Sequence, residues 1–164
     1  MLQRIQTIFL ILGIVSNGFL LYFDLYSVNA MNENGAVIEK ATLNIEKLQY
    51  ETTLEDHVAY SKPMYWLMGA TALVSFVAFA SIFLFNNRRF QMIIVRLSML
   101  LEAGLVVLFF LFTDRAKEVI NNPIYQMQYE VGIFLPIAGV VMFFLANVFI
   151  MRDEKLVRSS ERLR

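Results

Sequence analysis

Glu102 is the residue best placed to do chemistry, because it stands in the middle of the apolar run Gln91 to Phe112. A charged carboxylate at the centre of a membrane span costs roughly 2.5 to 3.5 kcal/mol on insertion scales, and such groups face a bundle interior or a partner rather than lipid. Three kinds of chemistry are open to it: hydrogen bonding in a buried polar layer, pairing with a cation from a partner subunit, or carrying protons or ions. Counted from the basic end of each apolar run, Ser16, Asn17 and Ser75 lie at about its depth, so the sequence predicts a polar layer of Glu102, Ser16, Asn17 and Ser75. A relay needs several ionisable groups, and the apolar interior supplies one.

Other chemistries find no residues to carry them. His57 is the single histidine, beside Asp56 in a polar stretch, so neither a histidine metal cluster nor a triad can be assembled. The absence of cysteine removes thiolate ligands, disulfides and thiol nucleophiles. Met92, Met99, Met142 and Met151 share no common face and read as packing or lipid-facing residues, as do Phe109, Phe110 and Phe112. No phosphate loop, zinc motif or serine elbow is present. The expectation is therefore no catalytic residue, no metal, no cofactor and no small-molecule substrate.

The elements that hold Glu102 follow from hydropathy. The chain has 164 residues, 58% of them hydrophobic, with 15 Phe, which is too apolar for a soluble domain of this size. Four spans are expected, at about 5–23, 64–85, 91–112 and 132–151, joined by a cytoplasmic turn at 86–90 and outer loops at 24–62 and 113–131, with a tail at 152–164. Arg88 and Arg89 break the longest apolar stretch into a hairpin, and Arg96 lies within snorkelling reach of the headgroups. These three arginines set the topology. Val28-Asn29-Ala30 has the spacing a signal peptidase reads, but the long apolar core and the intervening Asp24 favour a retained first span.

The loop from Asp24 to Lys62 carries seven acids against three lysines. Leu43, Ile45, Leu48 and Tyr50 alternate about Glu46-Lys47 and predict a small β-hairpin, although Ile38, Ala41, Ile45 and Leu48 fit a helical stripe nearly as well. Asn32, Asn34 and Gly35 predict a turn before it. The second loop carries the turn signal Asn121-Asn122-Pro123, with room for a short helix.

Charge sets orientation and surfaces. Nine Lys and Arg lie in the short segments of one side, against five in the longer loops of the other, so both termini are expected in the cytoplasm and the loops in the periplasm. Net charge is zero and gives no reason to expect nucleic acid. Two faces are candidates for contact. On the second span, Thr71, Ser75 and Ala78 make a face of small residues suited to helix packing. In the tail, Arg152, Asp153, Glu154, Lys155, Leu156, Val157, Arg158, Arg162 and Arg164 form either an inside-positive anchor or a docking segment, and their mixed charge favours a protein partner over lipid.

The start Leu2 to Thr7, the turn Phe83 to Gln91, Gly132 to Pro136, Leu145 to Asn147, Asp153 to Ser159 and Arg162 to Arg164 together resemble a four-span membrane family of unknown function found in Bacteroidota. That resemblance covers the chain in order and implies a Gram-negative inner membrane, with no activity or site residue to transfer. The fold expected is all-α: a four-transmembrane-helix bundle with a small structured periplasmic loop. The function expected is an accessory or assembly subunit that binds the lipid bilayer and other inner-membrane proteins, the alternative being a small transporter or proton-coupled channel using Glu102.

Overall fold

The structure, a computed structural model, describes residues 3–32, 35–52, 60–118, 120 and 124–161. In chain order its elements are α1 (Gln3–Phe19), β1 (Tyr26–Met31), β2 (Val37–Leu43), β3 (Lys47–Thr52), β4 (Tyr60–Pro63), α2 (Tyr65–Phe83), α3 (Arg88–Leu111), α4 (Thr113–Glu118), β5 (Tyr125–Tyr129) and α5 (Phe134–Glu161). A single 3-10 turn, Leu84–Asn86, joins α2 to α3, and another, Val131–Ile133, leads into α5. Asn87 starts α3 because its Oδ1 accepts a hydrogen bond from the Phe90 N–H at 3.3 Å, satisfying a donor that the first helical turn leaves unpaired.

The sheet overturns the all-α expectation. Instead of a hairpin, five antiparallel strands assemble in the order β4-β3-β2-β1-β5. β1 and β5, which the sequence did not predict, pair with Tyr26 opposite Tyr129 and Ala30 opposite Tyr125. Alternation explains the strands: Tyr26, Val28 and Ala30 are fully buried along β1, and Ala41 and Leu43 along β2. The β2–β3 turn is an Asn44 device, its Oδ1 accepting from the backbone N–H of Glu46 and of Lys47 at 3.0 and 2.8 Å. Gly35 closes the β1–β2 turn at φ +76°, a conformation that suits glycine, and its N–H donates to the Asn32 carbonyl at 2.8 Å.

Among the described residues, three helices are long and apolar enough to cross a membrane, within Tyr65–Phe83, Arg88–Leu111 and Val131–Leu156. α1, within the first expected span, is a shorter apolar helix of 17 residues. It ends at Phe19, and the residues from Leu20 lead through turns into β1.

The chain divides into two units. One comprises Met1–Gly18, Thr71–Gly104 and Pro136–Arg164. Leu10, Val74, Ala78, Val95, Phe143, Ala146 and Ile150 form its core, drawn from all four long helices. Its polarity is inverted relative to a soluble protein. Gln91, Ser98 and Glu102 are buried, while Phe76, Phe79, Phe83, Ile93, Leu100 and Phe144 are exposed. Such an arrangement suits a helix bundle solvated by lipid, and the chain is a membrane protein.

The other unit comprises Phe19–Ala70 and Leu105–Leu135 and holds the sheet. Its core joins Tyr26, Val28, Ala41, Leu43 and Leu48 to Leu67, Leu105 and Phe109. Gly132 is a close approach here: its N–H donates to the Asp24 carbonyl at 3.0 Å, and a Cβ at this position would collide with that same oxygen.

Candidate functional site

Three helices converge on Glu102. α3 supplies the carboxylate, which is wholly buried, and α1 supplies Asn17, 2% exposed, whose Nδ2 donates to Glu102 Oε2 at 2.8 Å. α5 contributes a gap in place of a side chain. A Cβ built on Gly139 would lie 2.7 Å from Glu102 Oε1 and 3.1 Å from its Cδ, so the acid fits because residue 139 has none. Glu102 Oε1 and Asn17 Oδ1 make no hydrogen bond in the structure. The arrangement supplies one strong hydrogen bond to a carboxyl group and leaves one oxygen of each partner unsatisfied, an expensive condition in a medium of low dielectric.

Of the expected polar layer, the structure brings Asn17 to Glu102, and Ser16 and Ser75 are half-buried. Gly139 was not singled out from the sequence. The available signal was a small residue in α5 at a depth matching the acid in α3. Along the same antiparallel pair of helices, Arg96 Nε donates to Asn147 Oδ1 at 3.4 Å, and Arg96 Nη2 approaches Met151 Sδ at 3.6 Å. Arg96 therefore reaches along α5 in the direction of the tail, as a snorkelling side chain does.

Thr71 and Ala78 are buried and Ser75 is half-buried. Ala78 packs with Leu10, Val74, Val95 and Phe143, so the small-residue face serves contacts within the chain itself. A matching close approach occurs at Gly13, where an added Cβ would run into the Phe143 ring.

The turn and the tail are paired. α5 continues unbroken to Glu161, carrying Arg152, Asp153, Glu154, Lys155 and Leu156 on a helix. Arg88 donates to Asp153, and Arg89 lies 3.9 Å from Glu154. Topology-setting arginines and two of the tail acids are therefore engaged with each other. Leu156 is 56% exposed, and a shallow groove of about 230 Å³ is lined by Met92, Arg96, Met151, Glu154 and Lys155. Arg162 and Arg164 lie outside the described residues, as do the side chains of Val157 and Arg158 and all of His57. Among the described residues, no three of His, Cys, Asp and Glu gather as metal ligands would.

The family model described as "Domain of unknown function (DUF4293)" matches residues 2–163. No curated protein matches the chain.

Proposed function

The chain belongs to the family of domains of unknown function DUF4293, and from that premise we propose that it is a non-catalytic accessory or assembly subunit of a larger bacterial inner-membrane complex. The observation that carries this reading is the enclosure of Glu102: fully buried, bonded to Asn17 and packed against Gly139, the acid is used to hold helices together. We place the turn at Arg88 and Arg89 and both ends of the chain in the cytoplasm, and the strand-bearing loops in the periplasm, on the distribution of Lys and Arg. The exposed part of the α5 extension, around Leu156 and Lys155, is then the cytoplasmic contact surface, and the sheet the periplasmic one.

Isolation of the tagged protein from native membranes in mild detergent tests the reading. A partner in stoichiometric amount, lost on deletion of residues 153–164 while the helices stay folded, is expected. A homogeneous species with no partner would overturn it.

A second reading, a small proton-coupled transporter, draws on one observation: the buried Oε1 of Glu102 has no hydrogen-bond partner. Flux in proteoliposomes that disappears in Glu102→Gln would favour this reading over the first.

A further inference from the structure

We infer that β5 is a self-association strand, through which two copies of this chain join their sheets edge to edge. The inference concerns the sheet alone and stands apart from the subunit reading above.

The two edges of the sheet differ in chemistry. β4 is four residues long and ends in Lys62 and Pro63, a charge and a missing donor of the kind that blunts an edge. β5 reads Tyr125-Gln126-Met127-Gln128-Tyr129, with no charge and no proline. Four of its five side chains are exposed, and Tyr125, Tyr129 and the preceding Ile124 are 45%, 51% and 57% accessible. An uncharged, exposed edge strand is a template for another strand.

The backbone shows which groups are on offer. The Glu130 N–H donates to the Leu25 carbonyl at 3.0 Å, and the Met31 N–H donates to the Ile124 carbonyl at 3.2 Å. In an antiparallel ladder, hydrogen-bonded and non-hydrogen-bonded pairs alternate. Gln126 and Gln128 therefore turn their backbone groups toward β1, and Tyr125, Met127 and Tyr129 turn theirs to the open edge.

The sequence identifies the occupant. β5 reads the same in both directions about Met127. A two-fold axis at Met127 sets Tyr125 opposite the partner's Tyr129, Gln126 opposite the partner's Gln128, and Met127 opposite itself. The three residues with outward backbone groups fall opposite one another in this register, giving about six interchain hydrogen bonds from three hydrogen-bonded pairs. Charge complementarity is met in its simplest form, since a neutral strand can be placed against its own copy with no like charges opposed. The arrangement is isologous, so the dimer closes.

Because the chain has no cysteine, Met127→Cys supplies a single thiol on the axis. Hydrogen-bonded antiparallel pairs hold their Cα atoms about 5.5 Å apart, within the range a disulfide bridges. Mild oxidation in native membranes should give a disulfide-linked dimer, and Lys62→Cys at the other edge should give none. Adding Gln126→Lys with Gln128→Lys opposes like charges across the axis and should cut the Met127→Cys yield at least tenfold. Adding Gln126→Lys with Gln128→Glu opposes unlike charges and should restore it, which separates loss of the interface from loss of folding. The unmodified strand is tested by photobleaching of a fluorescently tagged chain, where two-step traces are expected. One-step traces, equal crosslinking at Lys62→Cys, a Met127→Cys adduct to a different protein, or indifference to the charge changes would overturn the inference.

Discussion

Substituting Gly139 by alanine should change sign with the residue that faces it. In the native chain the new Cβ would lie 2.7 Å from Glu102 Oε1 and 3.1 Å from Cδ. The carboxyl group cannot simply swing away, because Oε2 is held at 2.8 Å by Asn17. Overpacking of this kind costs about 1–3 kcal/mol. Against it stands the higher helix propensity of alanine, worth about 0.8–1.0 kcal/mol over glycine. The net expectation is a loss of roughly 0–2 kcal/mol. In a Glu102→Ala background the collision is gone, the propensity remains, and the same substitution should gain up to about 1 kcal/mol.

The difference between backgrounds, about 1–3 kcal/mol, is a coupling energy measurable by a double-mutant cycle. The assay is reversible unfolding in mixed micelles of rising SDS fraction, followed by far-UV circular dichroism. Gly104→Ala serves as a control, because a Cβ there meets nothing within 4 Å and should be tolerated in both backgrounds. Equal effects of Gly139→Ala with and without Glu102 would refute the argument that this glycine makes room for the acid.

Gly132→Ala should be destabilising by about 1–3 kcal/mol, and no side-chain truncation should rescue it, because the atom it meets is the backbone oxygen of Asp24; rescue would show the close approach to be misassigned. Tyr26 gives the sheet a sensitivity to alkali. Burial first, and the nearby Asp114 carboxylate second, hold its phenol above the ordinary value of 10.0. The folded chain then keeps a proton that the unfolded chain releases, so stability falls as pH rises past about 10. Tyr26→Phe should flatten that fall in the strand signal of circular dichroism between pH 9 and 11, and an unchanged slope would count against it. Arg88→Asp should cost up to about 1 kcal/mol, as expected for a part-exposed pair, and adding Asp153→Arg should recover most of it; strictly additive losses in the same unfolding assay would mean that the pair contributes nothing.

What could be read from the sequence depended on how local the governing energy is. The cost of placing a residue in lipid is largely set by that residue, so the apolar runs mark α2, α3 and α5 without knowledge of their neighbours. The sheet is governed by pairing between distant segments. β1 pairs with the distant β5, and Ser27 Oγ in β1 donates to Glu130, just past β5, across 103 positions. Neither strand signals its partner. β1 even carries a misleading pattern: Val28 and Ala30 have the spacing of a signal-peptidase site, yet both are fully buried. Small residues two apart satisfy a peptidase and one face of a strand equally well, since both read alternate side chains of an extended chain. β5, with its glutamines, lacks the apolar alternation that marks a strand.

The acid's surroundings show a related division. Counting residues from the basic ends gives depth, and depth named Asn17 along with Ser16 and Ser75. Rotation about the helix axis decides which of them can touch Glu102. Adjacent residues on a helix point about 100° apart, so Ser16 and Asn17 face different directions, and Asn17 bonds to the carboxyl group. Burial would have distinguished them, because Asn17 is 2% exposed and Ser16 is half-buried, but burial is a property of the assembled helices. Gly139 is harder still, since its contribution is the absence of a side chain. Nothing in one sequence separates a glycine that admits a carboxyl group from Gly104, whose missing Cβ faces open space. The substitution at Gly139 is therefore the sharpest test of the site, because it examines the part of the geometry that no residue type announces.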